Sequence, residues 1–186
     1  MIGRYPRERK TLYHGLMSLF RHRNDDLPAA AAAVVRPAGI GDAAAVVRLS
    51  RALSQEDGGR ASQLTEDAFR RDGFGADPAF RALVAQSGDA VVGYALYFPG
   101  YDTDRASRGI YLADLYVAPD HRRAGVGGAL IKGAARACRD AGGSWMFWSV
   151  LKRNRGARKF YRRLAPELRD VVLCAAIADT FQRLAE

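Results

Sequence analysis

The segment Tyr111-Leu-Ala-Asp-Leu-Tyr-Val-Ala-Pro-Asp-His-Arg-Arg-Ala-Gly-Val-Gly-Gly-Ala-Leu130 decides how this chain folds. Gly109 to Val117 reads as a long strand, and Ala118-Pro119-Asp120 ends it. Gly125 to Asp140 reads as a helix, because Val126, Leu130, Ala134 and Cys138 recur four apart and Gly142-Gly143 can terminate it. Between the two lies Arg122-x-x-Gly125-x-Gly127. A helix start leaves its first N–H groups without intrahelical partners, and its dipole favours negative charge there. A glycine-rich turn over such a start lets backbone approach pyrophosphate oxygens closely, and Arg122 and Arg123 add positive charge. The same glycines also suit a plain strand–turn–helix connection, so this loop alone leaves both readings open. Two nucleotide fingerprints fail on it. The dinucleotide pattern needs a third glycine where Leu130 stands, and a Walker loop needs Gly-Lys-Ser/Thr, whereas Lys132 lies between Ile131 and Gly133.

Working outward, the chain alternates strands and helices. Val34-Val35-Arg36 before Pro37 reads as a short strand, and Asp42 as the cap of a helix to about Ser54 that sets Ala45, Val46, Leu49 and Leu53 on one face. Thr65 with Glu66 and Asp67 opens a second helix that Gly73 and Gly75 end. Phe80 to Gln86 and Ala90 to Phe98 read as strands around Ser87-Gly88-Asp89, and Tyr101 to Arg108 as a polar loop. Beyond the central helix, Trp145 to Leu151 reads as a strand, Arg155 to Leu164 as a helix and Val171 to Ile177 as a strand, with a short helix capped near Asp179 at the end. No internal repeat and no second domain is visible; residues 1–33 form a basic extension, expected to be flexible, and residues 34–186 one domain.

Composition bounds the function. The 186 residues are 48% hydrophobic and carry a formal net charge of +9, which favours anionic partners without choosing among nucleic acid, acidic membrane and a phosphate-rich small molecule. No nucleic-acid recognition motif is present. No apolar run approaches the roughly 20 residues of a membrane span. Cys138 and Cys174 lie in no C-x-x-C, and His14, His22 and His121 are scattered, so no metal site is expected. Both thiols are expected to be reduced and buried, in a cytoplasmic protein.

Arg122-x-x-Gly125-x-Gly127 after a strand resembles the acetyl-CoA pyrophosphate loop of the GNAT N-acetyltransferase superfamily, and Asn154-Arg-Gly-Ala157-Arg-Lys-Phe160-Tyr161 is similar to its Asn-x-x-Ala-x-x-Phe-Tyr segment. Leu64 to Pro78, Val92 to Asp102 and Tyr111 to Val117 are similar to the diamine (spermidine/spermine) acetyltransferases. The resemblance implies an α/β GNAT fold, a mostly antiparallel twisted sheet flanked by helices and splayed at the acetyl-CoA site. It implies acetyl transfer from acetyl-CoA to the primary amine of a small molecule by direct attack in a ternary complex, and a homodimer. It places the diphosphate on Arg122, Arg123, Ala124, Gly125, Val126, Gly127 and Gly128. The pantetheine arm is expected along the backbone of Leu115, Tyr116 and Val117, where an amide stabilises the thioester oxyanion, with Asn154 on the CoA arm. Tyr161 is the expected general acid for the departing thiolate.

Amine chemistry adds a requirement. An alkylammonium with a pKa near 10.4 is neutral in only about one part in 10³ to 10⁴ at pH 7, so the site must take a proton from it. The diamine family has a glutamate just before the aspartate matching Asp114; here that position is Ala113. Glu56 matches another acidic substrate position, but its aromatic neighbour is Gln55, and Lys152 and Arg153 stand where the family has an acid and an aromatic. Glu56, Asp114 and Trp148 are the candidate acceptor-binding residues, with Asp57, Asp102 and Asp104 as further carboxylates. A short amine, or one that also carries a carboxylate, is therefore expected to outperform spermine. An amino acid, an antibiotic amine or a protein lysine are alternative acceptors, and an acyl-CoA-binding module without turnover is the alternative class.

Overall fold

A computed structural model describes residues 33–186, so the basic extension lies, but for Ala33, outside the described residues. The described residues divide into two compact units, one ending at Ser149 and the other spanning Val150–Glu186. The first is built on a five-stranded sheet in the order β1 (Val34–Pro37), β2 (Arg81–Ser87), β3 (Ala90–Asp102), β4 (Ser107–Val117), β5 (Gly143–Trp148). The first four strands pair antiparallel, and β5 joins β4 in parallel. Parallel neighbours need a crossover, and the helix α3 (Val126–Asp140) supplies it.

Two helices precede β2: α1 (Ala43–Glu56) and α2 (Glu66–Phe74). Their apolar stripes close over Val84, Tyr94 and Tyr116, making a core in which Val46, Leu49 and Phe69 are fully buried. On α3 the four-residue repeat is the buried face as expected: Val126, Leu130, Ala134 and Cys138 are all within 5% exposure. Thr65 caps α2 by accepting the Ala68 N–H at 3.1 Å. Asp42 makes no such bond to α1. Its carboxylate instead accepts from both Arg36 Nη atoms at 2.7 and 2.9 Å and from the Gly39 N–H at 2.7 Å, tying β1 to the turn before the helix. Arg36, the stronger partner, pulls Asp42 below the usual carboxylate range.

Several other boundaries move. β3 continues to Asp102, and β4 begins at Ser107, because the two strands stay paired almost to their turn. β5 ends at Trp148 rather than Leu151. Cys138 is buried, its thiol raised by burial, but Cys174 is exposed rather than buried. Cys174 lies in the second unit, where Val171 to Ile177 forms no strand: Val172 is 83% exposed, and a strand needs a neighbouring ladder that this segment lacks among the described residues. That unit holds α4 (Arg155–Tyr161), shorter than the helix expected to Leu164, and α5 (Asp179–Ala185).

Two strand glycines have a packing reason. Gly100, Gly109 and Trp145 stand opposite one another on β3, β4 and β5. The indole lies across both glycines, pinned by its N–H to the Ser107 carbonyl at 3.1 Å. A Cβ at Gly109 would come within 2.1 Å of Trp145 Cδ2. Gly109→Ala should therefore lower the unfolding free energy by about 1–3 kcal/mol, the usual cost of overpacking. Chemical denaturation with Trp fluorescence checks this, and an unchanged midpoint and slope would remove the packing argument.

Candidate active site

The site grows from the place where β4 and β5 part. Their last register pair is Leu112 with Trp148, yet β4 runs on to Val117. On the β3 side the register slips between Leu96 and Tyr97, so Ala113 is the extra, bulged residue of β4, and it is exposed. Beyond the bulge, Ala118 donates its N–H to the Val92 carbonyl at 2.8 Å. Alternation along the strand then turns the backbone of Leu115 and Val117 away from β3, toward the side that β5 has left. An antiparallel sheet opened on one side, as the sequence resemblance implied, is what the register shows.

The open edge leads into the glycine loop. Arg123 (φ 62°) and Gly125 (φ 83°) both take left-handed conformations, rare for arginine and natural for glycine. The first bond of the α3 ladder is the Ala129 N–H to the Gly125 carbonyl, 2.9 Å. The N–H groups of Val126, Gly127 and Gly128 thus precede the ladder and point out of the helix start, at the positive end of its dipole. Arg123 and Ala124 are exposed beside them. A cradle of N–H donors with one added cation fits an anionic diphosphate.

Arg122 is engaged elsewhere. Its Nη2 donates to both oxygens of Glu56 at 2.7 and 2.8 Å, its Nε to the Val117 carbonyl at 2.8 Å, and its guanidinium lies 5.2 Å from the centre of the Tyr116 ring. The Tyr116 hydroxyl adds a third hydrogen bond to Glu56 at 2.6 Å. Partial burial disfavours the Glu56 charge, but the bonds from Arg122 and Tyr116 outweigh it and hold the carboxyl below its usual range. Glu56 and Arg122, expected on opposite ligands, thus neutralise one another.

Asp114 has the opposite environment. Burial raises its carboxyl above the usual range, the hydrogen bond from Tyr94 opposes this, and the Asp57 charge at the end of α1 adds to it. Tyr94, fully buried, donates its hydroxyl to Oδ2 at 2.9 Å. Sequence reading missed Tyr94: it lies 20 residues away, and only the β3–β4 register brings it to Asp114.

Asn154 and Tyr161 lie in the second unit, whereas Trp148 ends β5 and Asp102 ends β3 in the first. Asn154 caps α4, its side-chain oxygen accepting the Ala157 N–H at 3.0 Å. Tyr161 ends that helix with its ring 5.2 Å from Phe160. Arg158 holds the following segment through a two-point ion pair to Glu167 at 2.8 and 2.7 Å.

Known proteins match this architecture. A family model described as acetyltransferase (GNAT) family matches residues 46–165. Thialysine N-epsilon-acetyltransferase of Bos taurus is 36% identical over 143 residues, 72% of this chain and 84% of that protein. The spermidine/spermine N(1)-acetyltransferase-like protein 1 of Homo sapiens is 34% identical over 106 residues, 53% of this chain and 15% of that protein. An integron cassette protein from the mobile metagenome of V. cholerae shares the fold with a TM-score of 0.71 at 21% identity, covering 83% of this chain and 98% of that one. The chain belongs to the GNAT acetyltransferase family and is an acetyltransferase, with acetyl-CoA as the family's co-substrate.

Proposed function

We propose that this chain moves the acetyl group of acetyl-CoA onto a primary amine of a small molecule, by direct attack in a ternary complex. The observation that carries the reading is the open edge of β4 past Leu112, running into the N–H groups that start α3. On this reading the diphosphate takes Arg123 to Gly128 and the pantetheine arm the Leu115 to Val117 edge. An edge amide polarises the thioester oxygen as negative charge develops there. Asn154 for the CoA arm and Tyr161 as proton donor to the thiolate come from the resemblance of their segment. Asp114 is the acceptor's carboxylate partner, since Glu56 is already paired with Arg122. The domain is read as residues 34–186 following a basic extension, the assembly as a homodimer and the compartment as cytoplasmic. No described helix is long and apolar enough to cross a membrane.

For the acceptor, the exposed Ala113 leaves no carboxylate on the bulge, which disfavours a long polycation. The Bos taurus relative is named for an amino acid with a side-chain amine, which supports an acceptor bearing both amine and carboxylate. Thiol release measured with spermine, spermidine, putrescine and thialysine tests this. We expect thialysine or putrescine to give the highest kcat/KM, and Ala113→Glu to shift preference toward the polyamines through one new ionic contact. A wild-type preference for spermine would overturn the acceptor assignment. Acetyl-CoA binding without thiol release from any amine would favour the second reading, a non-catalytic acyl-CoA-binding module, to which the missing carboxylate at Ala113 also points.

A further inference from the structure

We infer that Asp114 takes the proton from the acceptor ammonium, and that Tyr94 is the positioning residue that presents it. The inference rests on the acetyl-transfer reading above. Three observations carry it. First, Asp114 follows the bulged Ala113, where β4 leaves β5, and directly precedes Leu115 on the open edge. Second, its two oxygens differ. Oδ2 is held by the Tyr94 hydroxyl, whereas Oδ1 has no hydrogen bond among the described residues. Third, the rival carboxylate is spent: Glu56 receives Arg122 on both oxygens and Tyr116 on one.

The ammonium gives one proton to Asp114 Oδ1, leaving a neutral amine. The nitrogen lone pair attacks the thioester carbonyl carbon, and collapse of the adduct breaks the C–S bond. The sulfur takes a proton from the acid, the second proton lost by the adduct nitrogen restores that acid, and the proton held by Asp114 passes to solvent, one proton released in all. A carboxyl whose charged form is partly destabilised by burial is the better acceptor for this work.

Among the described residues, Tyr94 from β3 and Asp57 from the end of α1 are the titratable groups that act on Asp114. Each gives a signed test in the pH profile of kcat/KM, measured with the better of thialysine and putrescine. Wild-type activity should fall with acid as Asp114 protonates. Tyr94→Phe removes a hydrogen bond that favours the carboxylate, so this limb should move to higher pH. Asp57→Asn removes a like charge, so the limb should move to lower pH. Asp114→Asn should lose the limb, follow the amine's own ionisation, and lower kcat/KM at neutral pH about 10²-fold, with acetyl-CoA affinity by calorimetry unchanged. If the Asn variant does not fold, the two opposite shifts decide. Limbs that stay in place in Tyr94→Phe and Asp57→Asn, or an Asn variant with wild-type turnover, overturn the assignment. Absence of thiol release from the wild type overturns the acetyl-transfer reading and this inference with it; release with unmoved limbs overturns this inference alone.

Discussion

Tyr161→Phe is expected to lower turnover about 10²- to 10⁴-fold, the range for removing a general acid. A thiolate expelled from a thioester recaptures the adduct unless it is protonated, and a phenol, with an ordinary pKa near 10, can supply that proton at neutral pH. The substitution keeps the ring and its 5.2 Å contact with Phe160, and acetyl-CoA affinity should change little. The loss should therefore fall on kcat and not on CoA binding. Steady-state turnover, with single-turnover measurements to establish that chemistry limits the rate, checks this. Near-wild-type turnover would assign Tyr161 to packing alone.

Gly127→Glu is expected to abolish measurable acetyl-CoA binding. Gly127 is the second residue of α3, where a glutamate suits the positive end of the helix dipole, so the fold should survive or gain slightly. The same side chain sets bulk and negative charge among the N–H groups proposed to hold the diphosphate. A folded variant with unchanged affinity by calorimetry would falsify this placement. The contrast is useful because the substitution favours the helix and opposes only the ligand.

Arg123 and Gly125 illustrate how far local sequence reaches. The sequence marks a glycine turn ahead of the four-residue apolar repeat, and in the structure Gly125 takes a positive φ there, which its missing Cβ allows. Nothing in the sequence predicts that Arg123 does so too; the chain must double back from β4 into α3 there, and the arginine takes the conformation the path requires. Asp42 fails in the other direction. A side chain fit to cap a helix is captured by Arg36 on β1, because a two-point charged contact is stronger than one bond to a backbone amide.

By itself the sequence determined the elements whose information lies within a few residues. The buried face of α3, the Thr65 cap of α2, the strand leading to the glycine loop and the resemblance of both motifs to the GNAT family all depend on short spacings. Periodicity, capping and backbone freedom act over one or two turns, so these were legible. The tertiary structure alone decided the pairings that span the chain. Glu56 meets Arg122 across 66 positions and Tyr94 meets Asp114 across 20. Val171 to Ile177 has a strand's composition and no ladder to join. The physical reason is common to all three. Which charge is neutralised, which carboxyl is desolvated and which strand is paired depend on register and helix packing, set by the whole core and by no local segment of it.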